Sequence, residues 1–397
     1  MRSTRSTLAT VAALALAGSL GAAGAVPSAS AVPQSSPSVV RTADPRADVL
    51  IAKARAVLGS QADARVRALD STLGTDAETL RARLATAINP ADYQCAPTEF
   101  DTWVEAQLAS FTDEDMLVLL VTQALVVPAY DALFFGNASD PNYALTSDAK
   151  AMGKTFRTLK KFWDTRGDDI ALLGLHGSTL LDQARVSRTY QVIFEVPKAE
   201  ADELAGLLAD YLKDPKFQGG NHPIFTLNAF AFTAVGKELP PGAGTPSDRI
   251  IMGDGILRAY RDMGYADVAP QTVLAHEYAH HVQFETGMIP PGVESGPEET
   301  RRTEMHADAS SAYYLSHPRG ESMQWKRVSQ FLPIFYGIGD CWFDDPGHHG
   351  TPNQRRAAGE WGYRLQENAR PKGHILPARE FQRLFDAALP TLVAPDA

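Results

Sequence analysis

At His276-Glu277-Tyr278-Ala279-His280 two imidazoles stand four residues apart with a carboxylate between them. Four residues advance an α-helix by about 400° and 6 Å, so the two rings lie nearly above one another and can grip a single cation. Glu277 then sits beside that cation, in a position to take a proton from water. Catalytic zinc needs a third protein ligand and an open fourth position. The form of this pattern with a third His close behind requires Gly at 283 and His at 286, where the chain has Gln283 and Thr286. The third ligand must lie further on. Glu304 and Asp308 are also four residues apart, among Ala307, Ala309 and Ala312, small residues that let two helices approach closely. Glu304 is the expected third ligand, with Glu298 and Glu299 as alternatives. Asp308 is the expected acceptor for the outer nitrogen of His276 or His280, which would fix that ring's tautomer.

Two helices must present these groups. For the first, Pro270 suits the opening turn, Val273, Leu274 and Val282 supply apolar positions, and Gly287 is the stop. The second starts at Pro297 with Ser295 or Gly296 as its cap. Further on, Thr351 and Gln354 form a capping box around Pro352, which puts His349 just before a helix start. His349 is a candidate donor to a developing oxyanion, with Tyr313, Tyr314 and Tyr260 as alternatives. His281, His306 and His317 read as structural. His281 and His306 lie on faces turned away from the ligands beside them, and His317 precedes Pro318. Asp340, Asp344 and Asp345 could meet calcium, although three acids in a loop more often cap or face water.

The remainder reads as α+β: a helical N-terminal region, a small mixed or antiparallel sheet, then the active-site helix and the ligand helix. Helices are expected over residues 116–127 with Thr112 as N-cap, over 146–163 and over 198–212. A further helix is capped by Asp254 and ends near Gly264. Residues 170–175, 189–196, 224–232 and 249–252 have strand composition.

In 397 residues, 37 Lys and Arg stand against 47 Asp and Glu, a formal charge of −10, which argues against a nucleic-acid partner. Arg2 and Arg5 precede an apolar stretch over 8–26, and Ala29-Ser30-Ala31 offers a cleavage site, so residues 1–31 read as a secretory signal peptide. Residues 32–44 read as a disordered leader, 45–92 as a helical propeptide or N-terminal subdomain, and 93–397 as the catalytic domain. The other strongly apolar run, 116–127, is too short to span a membrane, so no anchor is expected. In an oxidising exterior the two cysteines, Cys95 and Cys341, are expected to pair, tying the N-terminal half to the rim of the site.

HEYAHHVQ over 276–283, followed by Glu304-Met305-His306-Ala307-Asp308, resembles the bacterial neutral zinc metallopeptidases of the gluzincin type, in which HExxHxVQ precedes a helix with ExxAD. The likeness extends to 349–355, similar to that family's HG-S/T-x-x-QR stretch, and to 227–231, similar to the N-A-F/Y-A strand of related gluzincins. It covers residues 225–361. Ala279 stands where the family commonly has Gly. The resemblance implies a zincin-like domain and a secreted peptidase with Zn²⁺ on His276, His280 and Glu304. Glu277 would be the general base, and the substrate a protein or peptide. Zinc hydrolysis of another bond, such as a cell-wall amide or an ester, and a non-catalytic secreted binding protein on the same frame are the alternatives. The imidazoles must be neutral to bind, so activity is expected to fall below about pH 5 to 6.

Overall fold

The computed structural model describes residues 44–59, 61–66, 96–290, 296–340 and 348–394. The expected signal peptide, the leader before Asp44, residues 67–92 of the helical segment, Ser295, both cysteines, Asp344 and Asp345 lie outside the described residues. Helices α1 (Pro45–Val57), α2 (Glu99–Leu108), α3 (Asp113–Val121), α4 (Val127–Phe135) and α5 (Ala149–Phe162) lead to strand β1 (Ala171–Leu175). Helices α6 (Gln183–Ile193) and α7 (Lys198–Tyr211) separate β1 from β2 (Ala229–Phe232) and β3 (Arg249–Gly253). The chain then runs through α8 (Asp254–Asp262), α9 (Ala269–Thr286), α10 (Pro297–Ser316), α11 (Trp325–Gly337), α12 (Pro352–Asn368) and α13 (Ala378–Leu392). This is an α+β chain in which helices dominate.

The sheet has the order β1-β3-β2, with β1 parallel and β2 antiparallel to β3. A parallel pair needs a long crossover, and α6, α7 and β2 all lie within it. Side chains alternate across a strand, so β3 feeds two cores. Ile251 joins Leu173, Phe230 and Phe232 in a core shared with α1, α3, α4, α6 and α7. Ile250 and Met252 join Ala229 and Ala231 in the core of α5 and α8 to α13. The sheet is thus a shared wall between two helical layers. Leu50, Ile51 and Ala54 of α1 are buried in the first layer.

Several local expectations change. Residues 189–196 form no strand. Val186, Tyr190 and Ile193 repeat at helical spacing, and Asp182 caps the chain by accepting from the Ala184 and Arg185 N–H groups, so α6 runs through the Thr-Tyr-Gln-Val-Ile stretch. The helix expected over 116–127 is two. Thr112 and Asp115 make a capping box, but Gln123 turns left-handed at φ 59° and Pro128 opens α4 instead of closing α3. Residues 223–226 form a 3₁₀ turn behind Pro223, and the strand begins only at Ala229. Gly253 takes the cap position expected for Asp254, whose carboxylate lies 2.6 Å from His176 Nδ1.

α9 is buried on nearly all faces and ends where Gly287 turns left-handed at φ 74°. α10 packs on α9 and α12, and its contact with α12 is close. A Cβ on Gly362 would lie 2.0 Å from the Ala309 carbonyl oxygen. Because that neighbour is backbone, the helices would have to move apart, and Gly362→Ala is expected to cost about 1–3 kcal/mol. Denaturant unfolding measures this loss. An unchanged midpoint would mean that the helices tolerate the wider spacing.

Candidate metal centre

α9 carries His276, Glu277 and His280, and α10 carries Glu304 and Asp308, each helix presenting its pair on the face it turns to the other. The expected ligands converge. His276 Nε2 lies 3.1 Å from His280 Nε2, and Glu304 oxygens lie 3.2 Å from the first and 3.1 Å from the second. A tetrahedral ion with bonds of about 2.0–2.1 Å has ligand-to-ligand edges of about 3.3 Å, so a triangle of this size accepts one small divalent cation. The alternatives for the third ligand are engaged elsewhere. Glu299 accepts from the Gly296 N–H at 2.8 Å as a helix cap, and the exposed Glu298 pairs with Arg301.

The outer nitrogens explain the orientation of the rings. Asp308 Oδ1 lies 2.9 Å from His276 Nδ1, off the line of an ideal hydrogen bond, while His280 Nδ1 donates to Gln283 Oε1 at 2.9 Å. With each Nδ1–H turned outward, each Nε2 presents a lone pair toward the other ring and toward a carboxylate. In that form three electron-pair donors face one another, an arrangement that either added protons or a cation resolves. Gln283 is held in turn by donating to the Thr303 carbonyl at 2.7 Å and to His306 Nδ1 at 3.0 Å. His306, read as structural, therefore supports the site from behind through Gln283. Burial pushes it down to about 3, keeping it neutral, and Phe381 and Phe385 pack edge-on against its ring.

Arg355 closes the 349–355 stretch. It is fully buried, donates through Nε and Nη2 to both Asp308 oxygens, and brings Nη1 to 3.3 Å from Glu304. Burial opposes its charge, but Asp308 and Glu304 outweigh burial and hold it above the usual guanidinium range.

His349 lines the cleft together with His276, Glu277, Glu304 and Arg355. Asp340 fixes its turn: its Oδ2 accepts from the His349 N–H at 2.8 Å and lies 3.2 Å from His349 Nδ1, and its Oδ1 lies 2.5 Å from His348 Nδ1. Burial works against this carboxylate's charge, yet His348 and His349 hold it below the usual range. Asp340, one of the acids that could meet calcium, thus serves as a clamp for two histidines. Of the three candidate tyrosines, Tyr260 lines the cleft, whereas the Tyr313 hydroxyl donates to the His374 carbonyl and the Tyr314 hydroxyl to Glu321 and Thr155. Apolar walls come from Phe100, Ile256, Val273 and Phe335, and β2 adds Ala229 at one edge. His317 is structural, taking the Arg319 N–H on Nδ1 and meeting the His374 carbonyl through Nε2.

Protons and a metal compete here. Burial lowers the affinity of His276 for a proton, but Asp308 and Glu304 more than reverse this and raise it to about 10. His280 is also raised, burial being outweighed by Glu304, and Glu304 is held well below its usual range by the two imidazoles despite burial. A raised histidine contributes stability that is complete below its unfolded value near 6.5 and disappears as pH rises through about 10. The metal-free protein is therefore expected to lose stability from neutral pH toward pH 10. Metal uptake must expel these protons, so affinity should fall about tenfold per expelled proton for each unit that pH is lowered through the neutral range, instead of only below pH 5 to 6. Zinc titration calorimetry in buffers of different ionisation enthalpy reads the proton release. A proton-free, pH-independent binding isotherm would refute the charge assignment.

Comparison with family models, with curated proteins and with solved structures finds no match. Among the described residues no helix is long and apolar enough to cross a membrane.

Proposed function

We propose that this chain is a secreted zinc-dependent peptidase with a zincin-like catalytic domain, of the gluzincin type its motifs resemble. The observation that carries the reading is the convergence of His276, His280 and Glu304 in a cleft that Glu277 also lines. One imidazole pair and one carboxylate suit zinc, which when bound supplies Lewis acidity toward water and toward the scissile carbonyl. Glu277 takes the proton of the attacking water and returns it to the departing amine nitrogen as the C–N bond breaks. His349, oriented by Asp340, and Tyr260 stand on the same cleft as candidate donors to the carbonyl oxygen as it gains charge. Substrate enters as an extended strand beside β2, which among the described residues pairs with β3 on one side only. Residues 1–31 would direct export, and a Cys95–Cys341 bridge would form outside the cell.

Metal removal tests this. Dialysis against a chelator should abolish cleavage of casein or a mixed peptide library, and one equivalent of zinc should restore it. Cleavage that persists in a metal-free sample would overturn the reading, and so would a zinc-loaded protein that cleaves no peptide.

A further inference from the structure

The face of α9 opposite the metal centre carries a second group of donors. His281 Nε2 lies 2.8 Å from the Arg166 carbonyl oxygen, an acceptor only, so this nitrogen holds the ring's proton. Nδ1 lies 3.3 Å from Asp248 Oδ2. Glu285, one helical turn further on, completes a set whose ligand atoms all lie within 4.8 Å of one another. One imidazole nitrogen and two carboxylates thus meet at one point, a donor set that a small divalent cation fits.

Tyr278 gives a second, independent sign. Its side chain is fully buried, yet its hydroxyl has no hydrogen-bond partner. That hydroxyl sits against Gly167, where a Cβ would approach it to 2.2 Å, and the carboxylates acting on it are Asp169 and Glu285. Asp169 Oδ1 is also buried without a partner, although Arg166 reaches its Oδ2 at 3.3 Å. Unsatisfied buried polar atoms are rare in folded proteins, and these two flank the Arg166 loop against which the His281 ring packs.

We propose that Asp248, His281 and Glu285 form a second divalent-cation site, separate from the His276/His280/Glu304 centre and structural in role. One imidazole nitrogen with two carboxylates suits a first-row ion of the zinc or manganese class better than calcium, whose sites are built from oxygen alone. The ligands come from the residue before β3 and from the outer face of α9, and the Arg166 loop leads into β1. The ion would therefore bind the active-site helix to the sheet at its two parallel strands. This inference does not depend on peptidase activity.

The test counts ions and uses zinc as the probe. Dialysed wild-type protein titrated with zinc should take up about two ions per chain, and Glu285→Gln should take up about one. Glu285 is exposed, so the substitution leaves packing intact. In a Glu304→Gln background, which disables the first centre, added zinc should still raise the melting temperature, and Glu285→Gln or Asp248→Asn should remove that rise. Zinc uptake that Glu285→Gln and Asp248→Asn leave unchanged would overturn the second site, whatever the activity assays show. Loss of activity in Glu304→Gln with the zinc-dependent rise retained would support both sites separately.

Discussion

Glu277→Gln is expected to lower peptide turnover by about 10²- to 10⁴-fold while zinc content and the folding transition stay unchanged. Glu277 follows His276 on α9, about 100° further around the helix, so it borders the ligand triangle without belonging to it. Gln has nearly the same shape and can still hydrogen-bond, but it cannot take a proton from water. A purely structural carboxylate at this buried position would behave in the opposite way, with altered stability and little change in rate. Zinc must be measured on the same sample, because loss of metal would also abolish activity. A Glu277→Gln protein that retains zinc and cleaves at the parent rate would rule out Glu277 as the base.

What the sequence made legible follows from how local each relation is. The three candidate ligands and Asp308 form two i, i+4 pairs on two helices with clear start and stop residues, so helical period alone places His276 above His280 and Glu304 above Asp308. The pairing of the two helices follows from the alanines of α10. The supports of the site are not local. Gln283 could be read only as a residue that is not Gly, because its role depends on Thr303 and His306 of another helix. Arg355 lies 47 residues from Asp308 in sequence, and only the α10–α12 contact through Gly362 joins them. The helical state of residues 189–193 has a similar origin. Thr189, Val192 and Ile193 favour strand by composition, but the Asp182 cap and the buried spacing of Val186, Tyr190 and Ile193 prevail. Asp340 and His349 could be assigned to one rim from their proximity in sequence. That one carboxylate holds both His348 and His349 is visible only in the folded loop.

Arg355→Met is expected to cost the metal-free protein about 3–5 kcal/mol, because it leaves Asp308 buried without its main counter-charge. Met keeps the length of the side chain and fills the space, so the loss would be electrostatic and not a cavity. Asp308 is wholly buried and accepts both guanidinium bonds, and its remaining contact, with His276 Nδ1, is poorly aligned. Arg355 also lies 3.3 Å from Glu304, so it and a bound cation neutralise the same carboxylates. Removing the arginine therefore has two consequences of opposite sign for the metal. The ligands are held less firmly, which weakens binding about 10- to 100-fold where such supports are lost. The carboxylates are also left more negative, which favours a cation. The second effect makes zinc a partial substitute for the missing guanidinium, and the zinc-loaded variant should lose less stability than the metal-free one. Denaturant melts of parent and Arg355→Met, each with and without zinc, separate these terms. Equal losses with and without metal would show that Arg355 and the cation act on different groups. An unshifted metal-free midpoint would show that Asp308 does not need Arg355 at all.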